Sequence, residues 1–380
     1  MSISTMNTER VIDGLKARHE ELVGAIALQD GTVLIGSGFG APGRRSGEIV
    51  FSTAMNGYTE ALTDPSYIGQ ILVLTYPLVG NYGVPPDYES DKIQVEALVV
   101  SRATHPSHYR SRMSLSEWLA ENNVPGIMEV DTRLLTKRIR EFGVMGCAVE
   151  VAESISDIDL EKLKTLASSV RYDERQFSYS VYKESVTLGS GDKTVALIDF
   201  GVKGGIVRSL LNRGFKVMIY PNTCNADEIL RENPSGIVIS NGPGNPARMD
   251  RQIKLCRELL DTGLPILGVC LGHQLVALAC GARTYKMRYG HRGINKPCRD
   301  VRSGRRVITL QNHGYAVDKP SLGDTRLKPW FIDCDDGTVE GLYHESRPVI
   351  TVQFHPEGSP GPKDAYYVFD IFAELVNRYG

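Results

Sequence analysis

Short apolar runs punctuated by glycine and proline fill residues 23–150. Runs of this length are typical of strands, and the Asp30-Gly31 pair between the first two indicates a hairpin. Two stretches, 115–123 and 132–143, have helical spacing, and the second ends on a glycine, as a helix C-cap does. This half of the chain is therefore predicted to form a β-rich α/β domain.

A different rhythm begins after the polar, glycine-bearing segment 184–193. Runs that are apolar throughout now alternate with amphipathic helical stretches; the runs are VALIDF, FKVMIYP, GIVIS, PILGV and VITVQF. Strands of this kind are typical of a parallel sheet that helices cover on both faces. The sequence thus predicts an α/β chain in four parts. These are a short helical N-terminal extension (1–22), the β-rich domain (23–150), connecting helices and a linker (151–192), and a doubly wound, mostly parallel sheet (193–380).

Bulk composition limits what the chain can bind. Its 380 residues, 42% of them hydrophobic and 23% charged, are enough for two globular domains. A net charge of −2 argues against a nucleic-acid surface, and no apolar run approaches the roughly 18 residues of a membrane span. The first 22 residues lack the apolar core of a secretory signal. Seven cysteines without a CxxC pair disfavour disulfides and structural zinc, so we expect a cytoplasmic protein with reduced thiols and no metal.

Three short motifs resemble binding sites but are better explained as loops. Residues 38–43 match GxGxxG, yet a strand-like run follows where the dinucleotide fingerprint needs a helix. Residues 189–194 lack the GK[ST] order of a phosphate-binding loop. His105 and His108 are separated by Pro106, which prevents the helical turn that would align them as metal ligands. The sequence therefore predicts no nucleotide site in this chain.

Cys270 lies in the stretch ILGVCLGHQLV, where an apolar strand gives way to a helix. Glycines two residues before and two residues after it produce the G-x-nucleophile-x-G pattern, in which larger side chains would collide at a sharp turn. A helix that starts there directs its N-terminal dipole at the sulfur and favours thiolate. The backbone N–H of Leu271 is then placed to stabilise an oxyanion. The alternative is a buried structural cysteine.

His355 is the best candidate for the base that such a thiol needs. It follows the apolar strand VITVQF, and Glu357 lies two residues further on, on the same side of an extended chain. The carboxylate is expected to accept the imidazole Nδ1–H and to leave Nε2 facing the thiol. His273 would point away from the sulfur on its helix, so it and His313 are expected to support the structure.

A glycine-rich loop, ISNGPGNP at 239–246, follows another apolar strand. Its glycines leave backbone N–H groups accessible, and one of these would supply a second oxyanion donor near the thiol. A Gly-Pro-Gly loop taken by itself is equally compatible with a simple turn.

Together, GVCLGHQ, NGPGNP and QFHPEGSPGP resemble, in order and spacing, the three motifs of the class I (triad) glutamine amidotransferases. The resemblance implies that Cys270 attacks the glutamine side-chain amide, forms a γ-glutamyl thioester and releases ammonia. It implies that His355 acts as general base and acid, oriented by Glu357. The backbone amides of Leu271 and Gly244 would form the oxyanion hole.

The first half of the chain resembles one branch of these enzymes. GEIVFSTAMNGYTEALTDPSYIGQILVLTYPLVGNYG (47–83) is similar to the N-terminal domain of the carbamoyl-phosphate synthase small chains, as are DFGVKGGIVRSLLNRG and QNHGYAVD. The resemblance runs from about residue 24 to the C-terminus. It implies that L-glutamine is held by Ser66, Gly242, Gly244, Leu271, Gln274, Asn312, Gly314 and Tyr315.

Three positions depart from the family pattern. Asn245 replaces the usual aspartate of NGPGDP, residues 203–206 read KGGI, and Tyr315 is the aromatic of an NHGF-like motif. None of these positions belongs to the triad, so they bear on substrate contacts rather than on the reaction.

The resemblance implies a glutaminase subunit that delivers ammonia to a partner. A large chain would bind ATP and magnesium and make carbamoyl phosphate from bicarbonate, for arginine and pyrimidine biosynthesis, in a heterodimer or a higher oligomer of heterodimers. This chain would carry no cofactor of its own. One alternative is another amidotransferase subunit, such as one serving anthranilate synthesis, which the DPSY-bearing first half disfavours. The other is a non-catalytic binding subunit, which the complete set of Cys270, His355 and Glu357 disfavours.

Overall fold

The computed structural model describes residues 22–177 and 179–380. The helical extension predicted for residues 1–22 lies outside this part of the chain, except for its last residue. Two sheets organise the described residues, a closed barrel and, after it, a ten-stranded sheet. The predicted α/β class is confirmed.

The barrel is built from the first seven strands of the described chain. They are β1 (Val23–Leu28), β2 (Val33–Gly40), β3 (Gly43–Ser52), β4 (Gln70–Leu74), β5 (Ala97–Val99), β6 (Pro125–Met128) and β7 (Met145–Ala152). Their order is β1-β2-β6-β5-β4-β3-β7, and β7 pairs with β1 to close the barrel. The helices of this half are α1 (Tyr58–Leu62), α2 (Leu115–Glu121), α3 (Thr132–Phe142) and α4 (Leu160–Ser169). Strands β3 to β6 run parallel, so the barrel combines parallel and antiparallel pairing.

Local sequence explains several elements of this half. The Asp30-Gly31 turn joins β1 to β2, which pair antiparallel as the hairpin prediction requires. A capping box between Ser114 and Glu117 begins α2. Helix α3 ends at Gly143, whose φ of +94° suits a residue without a Cβ.

The GxGxxG match at 38–43 spans the end of β2, the two-residue turn and the first residue of β3, so only its centre is the predicted loop. By contrast, the hydrophobic pattern does not predict β6. That strand has four residues and begins with proline, so its sequence carries little strand signal.

The second sheet contains ten strands in the described chain. They are β8 (Val186–Leu188), β9 (Thr194–Asp199), β10 (Lys216–Pro221), β11 (Gly236–Ile239), β12 (Ile266–Val269), β13 (Thr284–Asp300), β14 (Arg306–Val317), β15 (Leu327–Asp333), β16 (Val339–His344) and β17 (Val349–Val352). The helices are α5 (Gly204–Leu211), α6 (Ala226–Leu230), α7 (Asp250–Leu260), α8 (Leu271–Ala279) and α9 (Val368–Tyr379). The strand order is β14-β13-β15-β16-β17-β12-β11-β9-β10-β8.

The centre of this sheet is parallel and covered on both faces. Strands β17, β12, β11, β9 and β10 pair in parallel. Alternate residues of β9 face opposite sides: Val195 and Leu197 pack with α5 and α9, whereas Ala196 and Ile198 pack with α6, α7 and α8. This two-sided burial is the reason that the strand sequence is apolar throughout.

Five antiparallel strands extend the sheet at its edges, and the hydrophobic pattern misses most of them. Strand β13 has 17 residues, including Lys286, Arg292 and Lys296, so it contains no apolar run. Its pairing with β14 supplies the stability that its composition does not. Within the segment 184–193, predicted as a linker, β8 pairs with β10.

Polar contacts join the barrel to the second sheet. Lys286 of β13 lies 2.6 Å from Glu48 of β3 and 2.8 Å from Asp173. On another side of the interface, the buried Glu89 carboxylate accepts a hydrogen bond from Arg208 of α5 at 2.8 Å. The two halves therefore enclose a shared cleft. None of the helices in the described residues has both the length and the apolar composition of a membrane span.

Candidate active site

Cys270 occupies a strained turn between β12 and α8. Its φ is +53° and its ψ −101°, a conformation that residues with a side chain rarely adopt. The Cys270 N–H donates to Val352 O at 2.8 Å, which ties the turn to β17. A Cβ on Gly272 would lie 2.1 Å from Ile239 O, so the close approach of α8 to β11 requires glycine there. The sequence pattern around the thiol thus corresponds to a sharp strand-to-helix turn.

His355 and Glu357 form a buried pair just after β17. His355 Nδ1 lies 2.8 Å from Glu357 Oε1, the contact that their spacing predicts. Burial alone would lower the pKa of His355, but the Glu357 charge raises it to about 10, and the nearby Cys270 thiol contributes in the same direction. Within the described residues, His355 Nε2 has no hydrogen-bond partner at normal distance. The imidazole is therefore oriented by Glu357, with its second nitrogen left for chemistry.

Lys203 extends this pair into a row of charges. Its Nζ lies 2.9 Å from Glu357 Oε1, and both side chains are buried. Burial opposes the charge on each group, but their attraction holds the pKa of Glu357 below its usual range and raises the pKa of Lys203. Glu357 therefore stays ionised beside the imidazole.

The thiol of Cys270 is surrounded by polar groups. Gln353 Nε2 lies 3.6 Å from Sγ, and Sγ lies 3.7 Å from the carbonyl oxygen of Asn312. The N-terminus of α8 begins at the next residue, and its dipole stabilises negative charge on the sulfur. Only 3% of Cys270 is exposed, so a reactant reaches it through the cleft.

The cleft between the two halves contains the thiol in its wall. Seven of the eight residues that the resemblance assigns to glutamine also line it: Ser66, Gly242, Gly244, Gln274, Asn312, Gly314 and Tyr315. Leu271, the eighth, is buried at the first position of α8 and offers only its backbone there. Glu48, Lys286 and Arg292 add charges of both signs to the lining.

Among the residues that the resemblance assigns to glutamine, Ser66 comes from the barrel half. Its hydroxyl does not cap its own loop: Asp64 Oδ1 accepts the Ser66 N–H at 2.9 Å and caps the turn. The Ser66 hydroxyl accepts a hydrogen bond from Asn241 at 3.1 Å, across the boundary between the two halves. Asp64 also accepts from Asn312 at 3.0 Å. The turn is therefore held against the second sheet on two sides.

The two other histidines near the thiol have partners of their own. His273 Nδ1 lies 2.8 Å from Thr351 Oγ1, and complete burial lowers its pKa to about 3. His313 Nδ1 lies 2.9 Å from the carbonyl oxygen of Tyr315, and burial lowers its pKa also. Both imidazoles are therefore neutral, His273 on α8 and His313 on β14.

Two of the three departures from the family pattern have evident local roles. Asn245 accepts the Ala247 N–H at 3.1 Å and so caps the turn after the glycine loop. The Tyr315 hydroxyl donates to Asp173, which also pairs with Lys286. Tyr315 thereby fastens the wall of the cleft to the connecting segment.

Sequence reasoning assigned no role to several residues of the site. Lys203, Asp64, Asn241 and Gln353 reach the triad or the serine turn from four different elements. Their positions do carry one signal: Lys203, Asn241 and Gln353 each follow shortly after a parallel strand of the second sheet. The carboxyl ends of parallel strands are where sites assemble, so a search of those ends would have found them.

Comparison with known proteins covers both halves. The model of the carbamoyl-phosphate synthase small chain, CPSase domain, matches residues 26–149, and that of the class-I glutamine amidotransferases matches residues 196–375. The carbamoyl phosphate synthase small chain of Sulfurisphaera tokodaii is 46% identical over 368 residues, covering 93% of this chain and 97% of that protein. The small chain of Archaeoglobus fulgidus is 47% identical over 360 residues, covering 93% and 99%. A solved glutamine amidotransferase of Thermotoga maritima covers 50% of this chain and 91% of its own, with 19% identity and a TM-score of 0.37.

These small chains align with this chain over nearly the full length of both sequences. The likeness therefore includes the barrel half as well as the half that carries the thiol. The chain belongs to the family of carbamoyl phosphate synthase small chains.

Proposed function

We propose that this chain hydrolyses the side-chain amide of L-glutamine, with Cys270 as the nucleophile, His355 as general base and acid, and Glu357 as the residue that orients His355. The observation that carries the proposal is the buried thiol on a strained turn, beside an imidazole whose Nδ1 is held by a carboxylate at 2.8 Å. As a member of its family, the chain is the glutaminase subunit of a carbamoyl phosphate synthase.

These groups carry out the reaction in two steps. The Cys270 sulfur attacks the amide carbon, and the proton held on His355 passes to the departing nitrogen, so that ammonia leaves and a γ-glutamyl thioester remains. His355 then takes a proton from water, which attacks the thioester and releases glutamate. Glu357 stabilises the imidazolium at the stages when His355 carries both protons.

The tetrahedral intermediates need donors for their oxyanion. In this proposal the N–H groups of Leu271 and Gly244 supply them, because one begins α8 beside the thiol and the other lies in the glycine loop that lines the cleft. The remaining lining residues assigned by the resemblance hold the substrate. Arg292 supplies a positive charge for the α-carboxylate, since its Nε is buried with no partner among the described residues.

In this proposal, the ammonia released here is used by a partner chain. A large chain binds ATP and Mg²⁺ and converts bicarbonate and ammonia to carbamoyl phosphate, and this chain brings no cofactor of its own. The product supplies arginine and pyrimidine biosynthesis in the cytoplasm. The assembly is a heterodimer, or a higher oligomer of heterodimers.

Substitution of the thiol tests the proposal. In a complex with a carbamoyl phosphate synthase large chain, Cys270→Ser should lower glutamine-dependent synthesis to about one thousandth or less, because a hydroxyl is far harder to deprotonate than a thiol. Synthesis from added ammonia should be retained. Cys280→Ser, which changes a partly buried thiol at the other end of α8, is the matched control and should retain both activities. Equal loss of both activities in Cys270→Ser would contradict the division of labour.

Ser66→Ala tests the shared pocket. Loss of the hydroxyl should raise KM for glutamine about fivefold, the equivalent of about 1 kcal/mol for one neutral hydrogen bond. Ser66 is buried and its hydroxyl accepts a hydrogen bond from Asn241, so the free energy of unfolding should fall by about 1 kcal/mol as well. Ser107→Ala, in an exposed loop, is the control. A fall in stability with unchanged KM would remove Ser66 from the glutamine site.

A further inference from the structure

A group of polar side chains is enclosed by the antiparallel strands behind the cleft. It consists of His291 on β13, His313 on β14, Asp333 at the end of β15, Asp336 in the following turn and Glu340 on β16, and is here called the histidine cluster. All of these except Asp336 are at least nine-tenths buried. The proposed glutaminase chemistry uses none of them.

His313 presents a lone pair to the inside of the cluster. Its Nδ1 lies 2.9 Å from the carbonyl oxygen of Tyr315, which can only accept, so Nδ1 carries the proton. In the neutral imidazole, Nε2 is then an acceptor. That nitrogen lies 3.4 Å from Glu340 Oε1, another acceptor.

His291 repeats the arrangement from the neighbouring strand. Its Nε2 donates to Asp336 Oδ2 at 2.9 Å, so in the neutral imidazole Nδ1 is the acceptor. Nδ1 lies 3.5 Å from Glu340 Oε1 and 3.9 Å from Asp333 Oδ2. Within residues 22–177 and 179–380, these inward atoms, including both oxygens of Glu340, have no hydrogen-bond partner. With both imidazoles neutral, their inward lone pairs face the oxygens of Glu340, which is unfavourable unless a cation or a proton lies between them.

We propose that the histidine cluster is a binding site for a divalent transition metal of the zinc class, with His291 Nδ1, His313 Nε2 and Glu340 as ligands. The three ligand atoms lie within 4.8 Å of one another. Ligand atoms about 2.0–2.1 Å from a tetrahedral zinc are about 3.3–3.4 Å apart, close to the measured separations of 3.4 and 3.5 Å.

The surroundings of the two imidazoles support a metal rather than protons. Metal-ligating histidines characteristically donate their other N–H to a carbonyl or a carboxylate, as His313 does to Tyr315 and His291 does to Asp336. Protonated imidazoles would instead donate to Glu340, but separations of 3.4–3.5 Å exceed the 2.7–3.2 Å of N–H···O hydrogen bonds.

The sequence predicts no metal because its ligands are scattered over three strands and include no cysteine. A bound metal would fasten β13, β14 and β16 together directly behind Asn312 and Gly314, which line the cleft. The site is therefore structural, and it rigidifies one wall of the glutamine pocket without taking part in the reaction.

Metal binding is best measured on the full chain carrying Cys270→Ser, so that the reactive thiol does not bind the probe. Zn²⁺ should bind in a 1:1 ratio to the chelator-stripped chain, and Co²⁺ should give the intense visible bands of a tetrahedral site. Glu340→Gln should abolish both signals and the rise in thermal midpoint that Zn²⁺ produces. Glu345→Gln, an exposed residue just after the same strand, is the matched control and should behave as the parent chain.

Asp336→Asn provides a second measurement in case Glu340→Gln does not fold. Asp336 is 44% exposed and orients His291 without lying among the inward atoms, so the variant should fold and bind Zn²⁺ about 10- to 100-fold more weakly. Failure of the parent chain to bind Zn²⁺ or Co²⁺ at micromolar concentrations would overturn the proposal. Binding that Glu340→Gln and Asp336→Asn leave unchanged would overturn it too, since the metal would then lie elsewhere.

Discussion

At the scale of single residues, Glu357 has two roles in the site. It holds His355 at 2.8 Å and Lys203 at 2.9 Å, and all three side chains are buried. A buried carboxylate between two cationic partners is stabilised by both of them, and each partner loses its compensation if the carboxylate is removed. The residue therefore links the chemistry of the site to the stability of the fold.

Glu357→Gln should be less harmful to kcat than His355→Ala, because the amide still contacts the imidazole while the base is retained. The variant should lose about 3–5 kcal/mol of stability, since it leaves Lys203 as a buried charge without its nearest partner. This loss of stability should depend on pH. The pKa of His355 is raised to about 10 in the folded chain, so the stability from its protonated form is fully present below about 6.5 and is lost as the pH rises to about 10.

Urea unfolding from pH 6 to pH 10 measures this dependence. The difference in free energy of unfolding between the parent chain and Glu357→Gln should shrink as the pH rises. The difference between the parent chain and the surface variant Glu345→Gln should show no trend in this window. A difference in unfolding free energy that is constant over the whole window would mean that the His355–Glu357 pair does not titrate there. Equal losses of kcat in Glu357→Gln and His355→Ala would mean that Glu357 does more than orient the base.

At the scale of elements, the turn at Cys270 depends on how closely α8 approaches the sheet. Gly272 Cα faces the backbone of Ile239 on β11, and Gly268 faces the backbone of Gly272. The strained φ of Cys270 persists because hydrogen bonds to Val352 on β17 and to Ser240, the residue after β11, hold the turn on both sides. The position of the sulfur is thus set by packing between elements.

Gly272→Ala should displace α8 from β11, because the new Cβ would lie 2.1 Å from a backbone oxygen that cannot move freely. We expect a loss of about 1–3 kcal/mol in urea unfolding, and a changed rate of Cys270 alkylation. Gly323→Ala is the matched control, since its Cβ would meet nothing within 4 Å and its φ is not positive. Full stability and an unchanged alkylation rate in Gly272→Ala would show that the turn tolerates a wider separation.

At the scale of the whole molecule, Glu89 joins the two halves. Its buried carboxylate accepts hydrogen bonds from Gly205 N–H at 2.9 Å, Arg208 at 2.8 Å and the Ser359 hydroxyl at 2.6 Å. Its own N–H donates to Thr63, next to the turn that carries Ser66. The same residue therefore supports domain packing and the barrel side of the cleft.

Glu89→Ala should lower the free energy of unfolding by about 2–3 kcal/mol, because it removes hydrogen bonds to a buried charge. It should also raise KM for glutamine, since the Ser66 turn loses support from the second half. Asp87→Asn is the control: its pair with Arg110 is largely exposed and should change stability by less than about 1 kcal/mol. A stability loss with unaltered KM would show that domain packing and the pocket are independent.

Much of this arrangement was predictable because it depends on residues close together in the chain. The two-sided burial of β9, the glycines around Cys270 and the two-residue spacing of His355 and Glu357 are all local patterns, and local geometry requires them. Both halves of the fold, the nucleophile turn and the orienting carboxylate could therefore be inferred without coordinates.

Other features depend on residues that only folding brings together. Strand β13 has no apolar run and exists through pairing with β14. Glu89 and its partner Arg208 come from different halves, and the histidine cluster draws on strands between residues 291 and 340. Burial also decides what such groups do, since a carboxylate at 0% exposure needs a partner that the same residue on the surface does not. The sequence by itself determined which parallel strands of the second sheet are buried and which local groups form the proposed triad. The tertiary structure decided which distant charges face one another, because burial and long-range contacts are properties of the whole fold.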